Sequence, residues 1–386
     1  MLISLAVSNY RSLRDLRVEL GALNVITGAN GSGKSNLYRS LRLLAATAQG
    51  DVVSALACEG GLPSCFWAGP EQFSRSMREG REAIQGGPRQ QAVRLKLGFS
   101  AEDFGYLIEL GLPRPDATSL FNLDPEIKRE AIWVGSAWRP ASAVVDRRGP
   151  LVKVREGRRW VVASEQLASF DSLFSQLADA RATPLVLELR ERIRNWRFYD
   201  QFRTDPEAPA RQVPLATRTP VLHHDGRDLI AALQTIREVG DSSALDEAIE
   251  DAFPGAHVQI DTIGGGRLAL GFHQHGLLRP LSSAELSDGT LRYLLLMAAL
   301  LTPRPPSLMV LNEPENSLHP DLLPALARLI IRASEATQLW VVTHSTRLVA
   351  ALNGSQRCHA IELDKQLGET QILGRGILDM PTWHWP

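Results

Sequence analysis

The sequence predicts an α/β fold with a mostly parallel core sheet, an antiparallel β subdomain and a helical insertion. Three observations predict it. Gly28-Ala29-Asn30-Gly31-Ser32-Gly33-Lys34-Ser35 fits the phosphate-binding pattern G-x-x-x-x-G-K-[ST], between an apolar strand-like run, Leu23 to Thr27, and a helical stretch, Asn36 to Ala48. Over the last third, buried strand-like runs (Leu308 to Leu311, Leu339 to Thr343) alternate with helical ones (Arg292 to Leu301, Asp321 to Ser334), the order of a parallel sheet. Between 92 and 162, short strand-like runs are separated by glycine, proline and acidic turns, the pattern of antiparallel hairpins.

Residues 2–20 alternate apolar and polar side chains in two runs around a polar turn, which reads as a hairpin. In the phosphate-binding loop that follows, glycines let successive backbone N–H groups turn inward around an anion. Lys34 adds a point charge for the outer phosphates, and Ser35 offers a hydroxyl to a magnesium ion. The helix leaving the loop directs its N-terminus at the phosphates, so a nucleoside triphosphate is the expected ligand.

The β subdomain is read at Val93 to Phe99, Tyr106 to Leu110, Ala131 to Val134, Leu151 to Val154 and Trp160 to Val162. From 164 to 252 the periodicity turns helical, broken by a proline-rich loop, Pro206 to Pro220. A helix from Leu245 to Phe253 leads to strands at Val258 to Ile263 and Leu268 to His273. The expected division is a nucleotide-binding lobe with the β subdomain at 1–163, a helical insertion at 164–255 and a C-terminal lobe at 256–386. No internal repeat and no sustained heptad pattern is present.

Composition bounds the function. The 386 residues, 44% apolar and 22% charged, suffice for one elaborated α/β domain or two domains. A net charge of −1 argues against a broad electrostatic footprint on nucleic acid, though not against a local basic patch. No apolar run has the length of a membrane span, and the start lacks the basic head and cleavage site of a secretory signal. A cytoplasmic protein without membrane contact is expected. Cys58, Cys65 and Cys358 form neither a disulfide framework nor a zinc pattern and read as reduced thiols.

Three further stretches carry chemistry. Leu308-Met309-Val310-Leu311-Asn312-Glu313-Pro314-Glu315 ends a buried strand in a carboxylate, at the edge where α/β sheets place ligands; Glu313 there could orient and deprotonate a water. The next buried strand ends in Thr343-His344-Ser345, where His344 could donate a hydrogen bond to a γ-phosphate. Leu286-Ser287-Asp288-Gly289-Thr290 opens a helix with a capping serine and a glycine, an anion-ready N-terminus.

Together these elements resemble the ABC-type ATPases, in the branch of RecF-like, structural-maintenance-of-chromosomes and overcoming-lysogenization-defect proteins that is also classed with AAA-family ATPases. The matching residues are Asn9-Tyr10-Arg11-Ser12-Leu13, the loop Gly28 to Ser35, the signature Leu286 to Thr290, Leu311 to Glu315, Ser317-Leu318-His319-Pro320 and Thr343-His344-Ser345, in the same order and spacing. They cover roughly the first fifty and last hundred residues. The resemblance implies an ABC-type head that binds ATP and Mg2+ and hydrolyses ATP to ADP and phosphate. By it, Arg11, Asn30, Gly31, Ser32, Gly33, Lys34, Ser35 and Asn36 contact nucleotide. Ser287 and Gly289 contact the γ-phosphate of a second copy in an ATP-dependent homodimer, Glu313 is the general base, His344 is the switch, and Ser317 to Pro320 crosses the dimer interface. Metal contacts fall to Ser35, Asn312 and Gln72.

Asn312 departs from the family's aspartate: it keeps an acceptor oxygen but not the charge, so slow hydrolysis is expected. Gln72 is the only residue found for the glutamine loop. Without coiled-coil arms a chromosome-tethering role is not expected, and with no nuclease segment after His344 any nuclease would be a separate partner. The readings left open are an ATPase acting on DNA or a partner effector, in DNA repair or anti-phage defence; a nucleotide-gated interaction module with little hydrolysis; and a RecF-like DNA clamp.

Weaker signals are read structurally. Arg190, Arg192, Arg194, Arg197 and Arg203 interleave with Trp196, Phe198, Tyr199 and Phe202; this could clamp phosphates and stack bases, but reads better as an amphipathic helix burying Val186, Leu189 and Ile193. His273 and His275, and the adjacent His223 and His224, lack convergent ligands. The tail Trp383-His384-Trp385-Pro386 packs on the body or docks a partner, and the sequence does not choose.

Overall fold

A computed structural model describes residues 1–86, 92–177, 183–376 and 380–385. Pro386, and residues 178–182 of the expected helical insertion, lie outside the described residues. The chain runs β1 (Leu2–Tyr10), β2 (Leu13–Glu19), β3 (Leu23–Gly28), α1 (Lys34–Gln49), α2 (Val52–Cys58), α3 (Leu62–Cys65) and α4 (Arg75–Arg78). A strand-rich stretch follows: β4 (Leu95–Ala101), β5 (Phe104–Gly111), β6 (Glu126–Val134), β7 (Ala143–Arg148), β8 (Leu151–Glu156) and β9 (Arg159–Ser164). Next come α5 (Leu173–Gln176), α6 (Pro184–Arg194), β10 (Arg197–Tyr199), α7 (Leu229–Val239), α8 (Ser242–Ala252), β11 (His257–Ile263), β12 (Arg267–His273) and β13 (Leu281–Ser282). The last part holds α9 (Asp288–Leu300), β14 (Leu308–Asn312), α10 (Leu323–Ala333), β15 (Gln338–Val342), α11 (Thr346–Leu352), β16 (Cys358–Gln366) and β17 (Glu369–Ile372).

Two compact units emerge, each discontinuous in sequence. One comprises Met1–Leu20, Gly28–Asn195 and Ile361–Pro386; the other comprises Gly21–Thr27 and Trp196–Ala360. The chain passes between them inside β3, at Gly28.

The first unit is built on an antiparallel sheet in the order β2-β1-β4-β5-β6-β7-β8-β9. β5 is buried on both faces, and α1 packs on β1, β4 and α6. The sequence missed β7 because its inward face carries a charge. Arg147 is fully buried against Glu130 at 2.7 Å, and Glu130 also accepts from Tyr106, Ser172 and the Leu173 N–H. Arg147 donates in addition to the carbonyls of Gly149, Ala168 and Asp171, so this buried pair is fully hydrogen-bonded, the condition under which burial of charge is tolerated. The tail packs on the same unit: Trp383 is buried edge-on to Trp133 with ring centroids 5.7 Å apart, over Gly98, where a Cβ would meet its ring at 2.7 Å.

The second unit holds the parallel strands β10-β14-β15-β3. Register places Leu311 beside Tyr199 and Val341, and Val341 beside Val25, so the apolar runs legible in the sequence form successive rows of one sheet. α7, α9 and α10 supply the apolar layer around it, with Leu294, Leu295, Leu326 and Ile330 inaccessible to solvent. β11, β12 and β13 form a separate antiparallel sheet. β10, hidden in the arginine–aromatic stretch, is a three-residue strand too short to show periodicity. The expected helix at Asp321 begins two residues later, after a 3-10 turn at Pro320–Leu322, with Pro324 in its first turn, where a missing N–H costs nothing. α6 buries Val186, Leu189 and Ile193, the amphipathic reading of the arginine-rich stretch, and Arg192 pairs with Asp103.

Candidate functional site

In the first unit the loop Gly28–Gly33 curls between the end of β3 and the start of α1. Gly28, Gly31 and Gly33 take φ of 142°, 81° and 110°, a region that side chains rarely enter. Contacts reinforce the requirement: a Cβ on Gly28 would lie 2.3 Å from the Leu363 carbonyl oxygen, and one on Gly33 would lie 2.1 Å from Thr370 Oγ1. Lys34 is buried and donates to the carbonyls of Gly28 (2.6 Å) and Ala29 (3.1 Å), which leaves one of its three N–H donors for a phosphate. Ser32 Oγ is buried with no hydrogen-bond partner among the described residues. Asn30, Gly31 and Ser35 are exposed, Ser35 at the first turn of α1.

Three further residues expected around the nucleotide have the following surroundings. Asn36 gives its amide to Ser12 Oγ at 2.8 Å, which supports the loop from outside. Arg11, itself at φ 50°, pairs with Glu59 at 2.9 Å and lies over the Tyr10 ring. Glu59 also accepts from the Tyr10 hydroxyl, and burial with this neighbouring carboxylate pushes the Cys65 thiol up to about 11. Gln72 is exposed on an irregular segment.

In the second unit the parallel register puts Asn312, Val342 and Ile26 on one row at the C-terminal edge of the sheet. Glu313 follows at φ 49°, its N–H bonded to the Val342 carbonyl. Its carboxylate accepts from Asn316 Nδ2 (2.7 Å), and His344 Nδ1 lies 3.4 Å away. Both members of the Glu313–His344 pair remain partly open to solvent.

Glu315 is the hub of this edge. One of its oxygens accepts from the Thr343 hydroxyl (2.6 Å) and from the N–H groups of His344 (3.1 Å) and Ser345 (3.2 Å), which fixes the turn carrying His344. Its other oxygen is buried without a partner among the described residues. Buried Arg292, from α9, donates to the Glu313 carbonyl at 3.1 Å. Desolvation holds its pKa below the ordinary arginine value against the opposing pull of Glu315 and Glu313. A single arginine inside the apolar run Leu291–Leu300 was the sequence signal for it.

The signature stretch caps α9: Ser287 Oγ accepts from the Thr290 N–H, and Ser287 and Asp288 are exposed. Gly289 packs closely under Ser317: a Cβ there would lie 3.0 Å from the Ser317 carbonyl oxygen, a tight contact. Arg211 holds the segment in place by donating to the carbonyls of Ser283, Ala284 and Leu286 and to Asp288. Nothing in its proline-rich surroundings marked it.

Other candidates are less developed. His223, His224 and Asp225 bring three ligand atoms within 4.8 Å of one another, so a carboxylate does converge on the histidine pair. That carboxylate is engaged by His223 Nδ1 (2.7 Å) and the Arg227 N–H. His273 stacks on His257 and contacts Gln259. A cavity of about 490 Å³ on the first unit, lined by Trp138, Trp160, Arg129, Arg148 and Asp146, includes no phosphate-loop residue, and both arginines are already paired with Asp146. No helix among the described residues is long and apolar enough to cross a membrane.

Residues 23–350 match the family model described as "AAA domain, putative AbiEii toxin, Type IV TA system". The chain belongs to that family. Its fold is that of a structural-maintenance-of-chromosomes (SMC) head: an Smc head bound to the C-winged helix domain of ScpA aligns at TM-score 0.51 and 12% identity over 98% of each chain. The SMC head domain from Thermotoga maritima aligns at 0.48 (14% identity, 97% of this chain and 99% of that one). An Smc head domain from Pyrococcus furiosus aligns at 0.49 (12%, 96% and 95%). No curated protein matches. The family and fold are those of nucleotide-binding ATPases, and no coiled-coil arm occurs among the described residues.

Proposed function

We propose that this chain is a slow Mg2+-dependent ATPase whose ATP-bound form pairs with a second copy. The observation that carries the reading is Glu313. It is a half-exposed carboxylate at the C-terminal edge of a parallel sheet, held by Asn316 and facing His344. In this reading the loop N–H groups and Lys34 hold the β- and γ-phosphates. A water attacks the γ-phosphorus, Glu313 takes its proton, and the bond to the ADP oxygen breaks. His344, oriented through Glu315, donates to the γ-phosphate. Ser35 and Asn312 supply oxygen donors suited to a hard cation: the Ser35 hydroxyl is exposed, and the Asn312 amide is neutral and better suited to a metal-bound water than to the metal itself. The magnesium ion supplies charge neutralisation at the phosphates.

Ser287 and Gly289, on an exposed helix N-terminus, are proposed to meet the nucleotide of the partner copy. The family description, with its toxin–antitoxin system, supports action through a partner effector more than DNA repair. Phosphate release tests the chemistry: Glu313→Gln and Lys34→Ala should fall to background, and Asn312→Asp should raise the rate. Background release by the wild type, restored in Asn312→Asp, would instead establish the nucleotide-gated module.

A further inference from the structure

We infer that Thr370, on the C-terminal hairpin β16–β17, is a positioning residue for the phosphate-binding loop, acting through a one-way relay of hydrogen bonds. The inference rests on the nucleotide-binding reading above. Thr370 stands far from the loop in sequence, yet its hydroxyl lies 2.8 Å from the Ser32 carbonyl oxygen and 2.7 Å from Ser12 Oγ. Ser12 Oγ in turn lies 2.8 Å from Asn36 Nδ2.

The two ends fix the direction. The Asn36 NH2 group only donates and the Ser32 carbonyl only accepts. Ser12 therefore accepts from Asn36 and donates to Thr370, and Thr370 donates to Ser32. Each hydroxyl has one proton to give, and each gives it toward the loop. The backbone bond from the Thr370 N–H to the Ser12 carbonyl (2.8 Å) locks the hairpin to the turn after β1. Ser12 and Thr370 are both buried, so water does not compete for these bonds.

The consequence lies in one peptide plane. A trans peptide sets its C=O and N–H on opposite sides. With the Ser32 carbonyl drawn toward Thr370, the Gly33 N–H is turned away from the hairpin, and in the nucleotide-binding reading it is one of the N–H groups that would face the phosphates. Thr370 Oγ1 also occupies the space that a Gly33 Cβ would need, so the same residue orients this peptide and limits the position after it to glycine.

The test is equilibrium binding of a fluorescent ATP analogue with Mg2+, alongside melting of the nucleotide-free protein. Wild-type binding comes first, and its absence would remove the nucleotide reading itself. Thr370→Val keeps the shape but deletes the hydroxyl, and should weaken binding about tenfold. Thr370→Ser restores the donor and should bind within about twofold of wild type. Ser12→Ala breaks the relay one step earlier, should weaken binding about threefold, and reads the same relay if the valine variant does not fold. Wild-type affinity in a folded Thr370→Val, or in Ser12→Ala should that variant not fold, would overturn the inference. So would a serine variant as weak as the valine one, which would assign Thr370 to packing alone.

Discussion

Glu313 sits in the left-handed region, which costs a non-glycine residue about 1–2 kcal/mol and persists only where surrounding contacts over-determine it. Those contacts are visible: the Val342 carbonyl on its N–H, Arg292 on its carbonyl and Asn316 on its carboxylate. A second residue-scale consequence concerns the thiols. The thiolate is the reactive form, so raising a thiol's pKa suppresses alkylation at a given pH. Cys65 is raised to about 11, Cys358 is raised by burial, and Cys58 is exposed. Iodoacetamide at pH 8, read by mass spectrometry, should therefore modify Cys58 first and leave Cys65 intact until the pH approaches 11 or the protein unfolds. Equal labelling of Cys58 and Cys65 in the folded protein would contradict the packing around Glu59. At this scale the sequence showed what local spacing encodes. Gly28, Gly33, Lys34 and Glu313 stand in short motifs that their spacing along the chain makes recognisable, whereas Thr370 and Arg211 act across distances that no local pattern records.

Between elements, the decisive contacts are polar groups buried inside apolar packing. β7 pairs with β6 through Glu130 and Arg147, both inaccessible to solvent. Deleting one partner leaves an uncompensated buried charge, so Arg147→Ala should cost about 3–5 kcal/mol, while Arg148→Ala, on the exposed side of the same strand, should stay within about 0.5 kcal/mol. Urea unfolding of the two variants would separate them, and equal midpoints would deny Arg147 its role. This also explains which elements the sequence showed. β3, β14 and β15 are buried apolar runs flanked by turn signals and were legible as strands. β7, with a buried arginine in place of an apolar residue, and β10, only three residues long, were not. The helix at Pro324 was legible in kind, displaced by two residues at its start and one at its end. α9 was legible as a helix, but its tie to the strand end through Arg292 depended on reading one arginine in an apolar run as buried.

For the whole molecule, the alternation of strand and helix in the last third and the motif order at both ends were enough to read an ABC-type head, and the family match over residues 23–350 and the SMC-head fold agree with that reading. The discontinuity of the two units was not legible, because the return of the segment from Ile361 to the first unit rests on contacts such as the Thr370 N–H to the Ser12 carbonyl, which have no sequence signature. Ser287 and Asp288 stay exposed while capping α9, and the exposed Ser317 takes φ 63° beside Gly289. In the proposed function this exposed surface meets the nucleotide of a second copy. Light scattering of Glu313→Gln, which should hold ATP without cleaving it, tests this most directly. With Mg2+ and saturating ATP the mass should rise to twice the 42.5 kDa of the chain and return to the single-chain value when ATP is removed. A mass that stays at 42.5 kDa while ATP is bound would contradict the account.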